Sequence, residues 1–217
     1  MRRALTGEEV EAFRARLCAA AERAFAERGA DGVTLREIAR AVGVSAMTPY
    51  RYFRNKDDIL SAVRAAAFDR FSERMERAQA SVGAAGRKGR AVGEAYLAFA
   101  LEEPDAYRLM FDLSQPDEET YPDLARARAR ATRTMTAYME DLVAEGRLAG
   151  EPKKLGLIYW AAVHGLVNLY MAGKLGDEAM LREAHATMMR TLTRGARSPP
   201  RSGRRQARAG PARAARG

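Results

Sequence analysis

An all-α fold, with a short N-terminal three-helix unit followed by a longer helical unit, is predicted by three observations. Ala, Arg, Leu, Glu and Met dominate the 217 residues, and no stretch alternates β-branched residues as a strand would. Apolar residues recur at steps of three and four through most of the chain. Capping residues, prolines and glycines stand at the ends of those periodic stretches, where helices start and stop. A hydrophobic content of 47% is ample for a buried core.

The first helix covers about residues 8–28. Val10, Phe13, Leu17, Ala21, Ala24 and Phe25 form one apolar stripe, and Gly29 supplies a left-handed terminator. Thr34-Leu-Arg-Glu37 is a capping box that opens a short helix over 35–42, ended by Gly43. Ser45 caps a further helix over 46–53, with Met47 and Phe53 predicted to face the core together with Val44. Asn55 caps the next, from 56 to about 80, with Asp57 and Asp58 against its positive end. The Gly-rich stretch 81–89 reads as a break between domains. Helices over 90–102 and, opened by Pro104, through Phe111 come next, then an acidic loop over 112–120. Pro122 opens a long helix to about residue 145, Pro152 an apolar one, and Asp177 caps the last, to about Thr193. Three segments follow: 1–55, 56–193 with helix 56–80 connecting the two units, and an Arg-rich tail over 194–217 predicted to be disordered.

Charge and rare residues narrow the function. Of the net charge of +9, eight units come from the arginines of the tail, so residues 1–193 are nearly neutral. The single cysteine, Cys18, excludes an internal disulfide and reads as a small buried residue. With His164 and His185 the only histidines, no metal site and no cofactor is expected. No apolar run follows Arg2 and Arg3, so no leader is expected and the cytoplasm is the expected compartment. Residues 155–173 carry no charge over nineteen positions, but His164, Asn168 and three glycines fit a protein-buried helix better than a membrane span. A strand-framed phosphate loop, a His-x-x-x-His pair and a nucleophile elbow are all lacking, so no enzyme is predicted.

Two short helices joined by a Gly-containing turn make a helix-turn-helix, with 35–42 as support and 46–53 as the element that enters the major groove. The chemistry suits it. Thr48, Tyr50 and Tyr52 offer hydroxyls to phosphates or base edges, Ala46 suits a thymine methyl, and Arg51 suits phosphate or guanine. Lys56 stands beside the open amides of a helix start, where a phosphate binds. Capped short helices also occur in all-helical proteins that bind no DNA, and the tyrosines read equally as a half-buried aromatic edge.

The stretch TLREIARAVGVSAMTPYRYFRNKDDIL, Thr34 to Leu60, closely resembles the DNA-binding domain of TetR/AcrR-family transcriptional regulators. The Thr-led support helix, Gly43-Val44-Ser45, Tyr50-x-Tyr52-Phe53, Lys56 and the acidic start after it carry the likeness, which extends in outline over 8–193. Trp160-x-x-x-His164-Gly165-Leu166 is similar to a subgroup of that family with a Trp–His–Gly signature. The resemblance implies a homodimer whose N-terminal units each read half of a near-palindromic DNA operator. It implies a C-terminal unit that dimerises and holds a small-molecule effector. By position, the resemblance implies Thr34, Ser45, Thr48, Tyr50, Tyr52 and Lys56 as DNA contacts and Phe53 as core. Ala46 and Arg51, read from their chemistry, and Arg36 complete the candidate DNA-contacting set. Pro49 departs from the usual reader by removing a first-turn donor. Repression with release by a small ligand is the function read from this, and the aromatic residues of the second unit suggest that the ligand is apolar or aromatic. A weakly specific architectural DNA protein, using the basic tail, and a hydrophobic-ligand binder without an operator are the alternatives.

In the second unit, Trp160, His164 and Asn168 form one helical row that reads either as a pocket wall or as core plus dimer contact, the latter being favoured. Tyr96, Phe99, Tyr107, Phe111 and Tyr138 complete a candidate ligand-binding set. Ala161, Gly165, Leu169 and Ala172 are the expected dimer interface, where small residues let helices approach. The run Arg126, Arg128, Arg130, Arg133 reads as a solvated helix face.

Overall fold

The computed structural model describes residues 6–83, 85–111 and 120–197, except the side chains of 85 and 86. The described residues form eight α-helices: α1 Gly7–Arg28, α2 Leu35–Ala41, α3 Lys56–Ala80, α4 Ala85–Glu102, α5 Pro104–Phe111, α6 Pro122–Ala144, α7 Pro152–Met171 and α8 Glu178–Gly195. The residues predicted as an acidic loop, save Thr120, and residues 198–217 of the tail lie outside the described part.

Capping side chains set the N-terminal unit. Thr6 and Glu9 form a capping box that starts α1, and Thr34 and Glu37 form the expected one at α2. Asn55 Oδ1 accepts from the amide of Asp58 at 2.8 Å and starts α3. Gly29 and Gly43 adopt φ near +70°, turning the chain after α1 and α2 where other residues would be strained. Leu17, Phe25, Ile38, Phe53, Ile59 and Val63 fill the core of this unit. Leu109 of α5 joins them, so the N-terminal core draws on chain well beyond residue 55.

In the C-terminal unit α4 and α6 pack on α3 and on each other, α7 packs on α6, and α8 packs on α7. Phe71, Met75, Tyr96, Phe99, Met139 and Leu181 lie at its centre. Phe71 meets Tyr96 and Phe99 edge-on at centroid distances of 5.4 and 5.2 Å. Two arginines of α3 fasten the units together. The buried Arg64 donates to the carbonyls of Leu109 and Met110, at 3.1 and 3.3 Å. Arg70 donates to Glu22 of α1 and to Glu103.

Four expectations are corrected. The 46–53 stretch is not an α-helix: only Pro49–Arg51 is regular, as one 3₁₀ turn. Pro49 has no amide to give Ser45, so Thr48 N donates to Ser45 O at 2.9 Å and the turn tightens. This change of phase buries Pro49 and leaves Met47 66% exposed rather than in the core, with Val44 only partly covered. The stretch 81–89 is not a domain break, because α4 already begins at Ala85. Gly89 is there for close packing: a Cβ on it would stand 3.0 Å from the Tyr138 ring. The tail starts later than residue 194, since α8 runs to Gly195. Beyond it, Ala149 N donates to Ala196 O at 2.8 Å, and Leu148 bridges to Arg197. The arginine run on α6 is not wholly solvated either. Arg130 reaches Asp69 at 3.1 Å and Glu76 at 2.6 Å, tying α6 to α3.

Candidate DNA-reading surface and ligand chamber

The turn between α2 and α3 leaves most of its predicted DNA-contacting residues exposed. Ser45, Ala46, Met47, Tyr50 and Arg51 are exposed and Thr48 is half-buried. The hydroxyls of Ser45 and Thr48 lie 2.9 Å apart, so each orients the other. Thr34 is exposed, but its hydroxyl is committed to the Glu37 carboxylate at 2.8 Å. Arg28 also holds that carboxylate at 2.7 Å. Arg28 first, and Thr34 second, pull the Glu37 carboxyl down to about 2. Arg36 is exposed on α2, and Lys56 stands 3.5 Å from the fully exposed Asp31, a weak pair.

Tyr52 occupies a different setting. Its ring packs on Phe13 at 5.0 Å and its carbonyl accepts from Arg14 at 2.8 Å, so it anchors the turn to α1. Met47 is the exposed residue that the sequence reading assigned inward. Only the proline-induced change of turn could have signalled it.

The aromatic set of the second unit forms a packed cluster. Tyr107 Oη lies 2.6 Å from His164 Nδ1 and 2.9 Å from Tyr96 Oη. Asn168 Nδ2 donates to His164 Nε2 at 2.9 Å, which leaves Nδ1 carrying the proton that Tyr107 accepts. Phe111 and Trp160 lie beside the imidazole, at 4.6 and 5.7 Å. Burial raises the Tyr96 and Tyr107 phenols and lowers His164. Phe99 is fully buried behind them. Asn168 itself is exposed.

The larger cavity is elsewhere. A chamber of about 520 Å³ opens between α4, α6 and α8, floored by Tyr138, Met139, Leu142, Tyr159 and Met189. Of the candidate ligand residues, only Tyr138 lines it. Tyr96 and Trp160 line a crevice of about 20 Å³ that shares Tyr138, Tyr159, His185 and Met189 with the chamber. Sequence reasoning missed the chamber because α4, α6 and α8 each contribute residues that look like ordinary surface or core.

Ala161, Gly165 and Leu169 on α7, and Ala172 at its C-cap, all lie exposed, on the helix that also exposes Leu157 and Ile158. Among the described residues, nothing stands within 4 Å of a Cβ built on Gly165. Cys18 is half-buried, and burial pushes its thiol up to about 11. No described helix is long and apolar enough to cross a membrane.

Comparison with known proteins agrees with this architecture. Residues 17–63 match the family of bacterial regulatory proteins of the tetR type, and residues 90–194 match the tetracycline-repressor-like C-terminal domain. HTH-type transcriptional regulators of Mycobacterium tuberculosis and Mycobacterium bovis are 27% identical over 143 residues. That match spans 65% of this chain and 60% of the length of those relatives. A Rhodococcus protein of unknown function superposes with a TM-score of 0.75 at 26% identity, covering 85% of this chain and 95% of that one. Bacillus subtilis FadR, solved with stearoyl-CoA, shares the fold with a TM-score of 0.72 at 18% identity, covering 83% of this chain and 98% of that one. Two family matches that follow each other along the chain, on a fold that places a helix-turn-helix unit before a helical C-terminal unit, make this protein a member of the TetR family.

Proposed function

We propose that this protein is a cytoplasmic, dimeric transcriptional repressor without catalytic activity. It reads a near-palindromic operator and is released by a small ligand in its C-terminal unit. The observation that carries the reading is the exposure of Ala46, Met47, Tyr50 and Arg51 on a turn held between two capped helices. Met47 and Tyr50 are large, outward and without an inward packing duty, as a groove-reading surface requires. Arg36, Arg51 and Lys56 flank them and suit phosphates. The apolar face of α7, centred on Ala161, Gly165 and Leu169, is the dimer contact, where open space at Gly165 permits close helix approach. Two reading units would then stand about 34–36 Å apart, or a multiple of that. The ligand acts by binding the misaligned dimer better than the aligned one.

Selection of duplexes from a random library tests this, using the full chain and a chain ending at Arg197. The cut there spares α8 and the Ala149–Ala196 bond. An enriched near-palindrome with both proteins is expected. Binding only through the full chain, with no enriched site, would overturn sequence-specific reading and leave the architectural alternative.

A further inference from the structure

The chamber carries a charge pattern that its apolar floor does not explain. Arg90 of α4, Arg147 of the α6–α7 connection, Arg190 and Arg194 of α8, and Arg197 all line it, against one acid, Glu94. Glu94 is itself within 4.0 Å of Arg182. Among the described residues the carboxylate paired with Arg147 is Glu145 at 3.8 Å, and Arg190 donates to the Thr187 hydroxyl. Basic residues near the end of α8 complement that helix's negative pole, which accounts for Arg194. It does not account for arginines from α4 and from the connection turning to the same cavity. Below them His185 is 5% exposed and lines both cavities, and its Nε2 has no hydrogen-bond partner among the described residues. Burial lowers its pKa, so it is neutral at pH 7 and can offer a hydrogen bond.

We infer that this chamber binds an anionic amphiphile, its apolar part on the Tyr138–Met189 floor and its acidic head among the arginines. The inference rests on the reading of the C-terminal unit as ligand-responsive and names the chemistry of that ligand. The cavity size lies within the ordinary range of about 300–1,000 Å³ for small-molecule sites. The basic sequence of residues 201–217 is repelled by this rim, so the tail does not suit it as an occupant.

Trp160, the only tryptophan, lines the adjoining crevice and reports occupancy by its emission. Full-length protein is titrated with dodecanoate, lauroyl-CoA, dodecanol and dodecyltrimethylammonium, each below its micelle concentration. The acid or the thioester is expected to bind about tenfold or more tighter than the neutral and cationic chains. Which of the two prevails separates a free carboxylate from a nucleotide-headed source. The double variant R190Q/R194Q removes both charges without placing acids at the negative end of α8. It should lose most of that preference with only a small fall in thermal midpoint, because both side chains are exposed. Equal affinity for dodecanol, an unchanged preference in the double variant, or no binding by either anionic probe overturns the site. Operator binding, followed with the selected duplex, is a separate readout. Intact recognition without probe binding removes this site alone, whereas probe binding that leaves operator affinity unchanged upholds the site and removes the release mechanism.

Discussion

His164 is held by partners on both ring nitrogens, and its protonation is opposed by burial. His185 is buried likewise. Both folded pKa values lie below the ordinary 6.5, so the folded state binds protons less readily than the unfolded chain. Their contribution is present above pH 6.5 and is lost as pH falls from there towards the folded values. Thermal melts should therefore give a lower midpoint at pH 5 than at pH 7.5, and His164→Gln should reduce that difference. Tyr107→Phe removes the oxygen that Nδ1–H donates to and should cost about 1–3 kcal/mol in denaturant unfolding. On the outer face, Tyr50→Ala and Met47→Ala should leave stability within about 0.5 kcal/mol. Each should weaken the selected operator by about 1–3 kcal/mol if it reads a base. Operator affinity untouched by either change would remove the reading face from this turn.

At the scale of elements, caps and close approaches decide. Thr34→Ala removes an N-cap and should cost about 1 kcal/mol, seen as a lowered denaturant midpoint with an unchanged slope. Two glycines of α7 should respond in opposite directions. A Cβ on Gly156 would lie 2.6 Å from Thr136 Cγ2 and 3.2 Å from its Cα. Overpacking of about 1–3 kcal/mol should then outweigh a helix-propensity gain of about 1 kcal/mol in Gly156→Ala. Gly165→Ala meets open space, so the subunit should gain stability while dimerisation weakens, as sedimentation would show.

The same scale explains what the sequence made legible. Caps and first-turn prolines are local chemistry, so the starts at Leu35, Lys56, Pro104, Pro122, Pro152 and Glu178 were readable before any packing was known. The donor that Pro49 lacks is legible in the sequence, but the collapse to a 3₁₀ turn goes with the pairing of Ser45 and Thr48. Gly89 reads as a breaker in the sequence because the Tyr138 ring against it lies far along the chain. The aromatic residues were readable as a set, yet the larger cavity formed where three distant helices fail to fill the space between them.

Across the whole molecule, α3 is the shared part. Its 25 residues make a rod about 37 Å long. Ile59, Leu60 and Val63 serve the N-terminal core, and Phe68, Phe71 and Met75 the C-terminal one. Arg64 sits between those sets, bonded to the end of α5. Arg64→Leu strips two carbonyls of a charged donor in a buried place and should destabilise the protein by about 2–3 kcal/mol or more. Because the two cores share this rod, wild-type melting should be a single transition, and calorimetry of the Arg64 variant is where a second would first separate.

The rod also sets a limit on transplantation. A reading head borrowed from another regulator cannot be joined to this body at residue 55, since Ile59, Leu60, Val63 and Leu109 would then face a foreign interior. A workable chimaera has to be spliced inside α3, between Val63 and Ala67, and has to bring a matching residue for position 109. The junction between reading and sensing is thus a seam of side chains rather than a hinge of backbone, and exchanging one half means recutting the other.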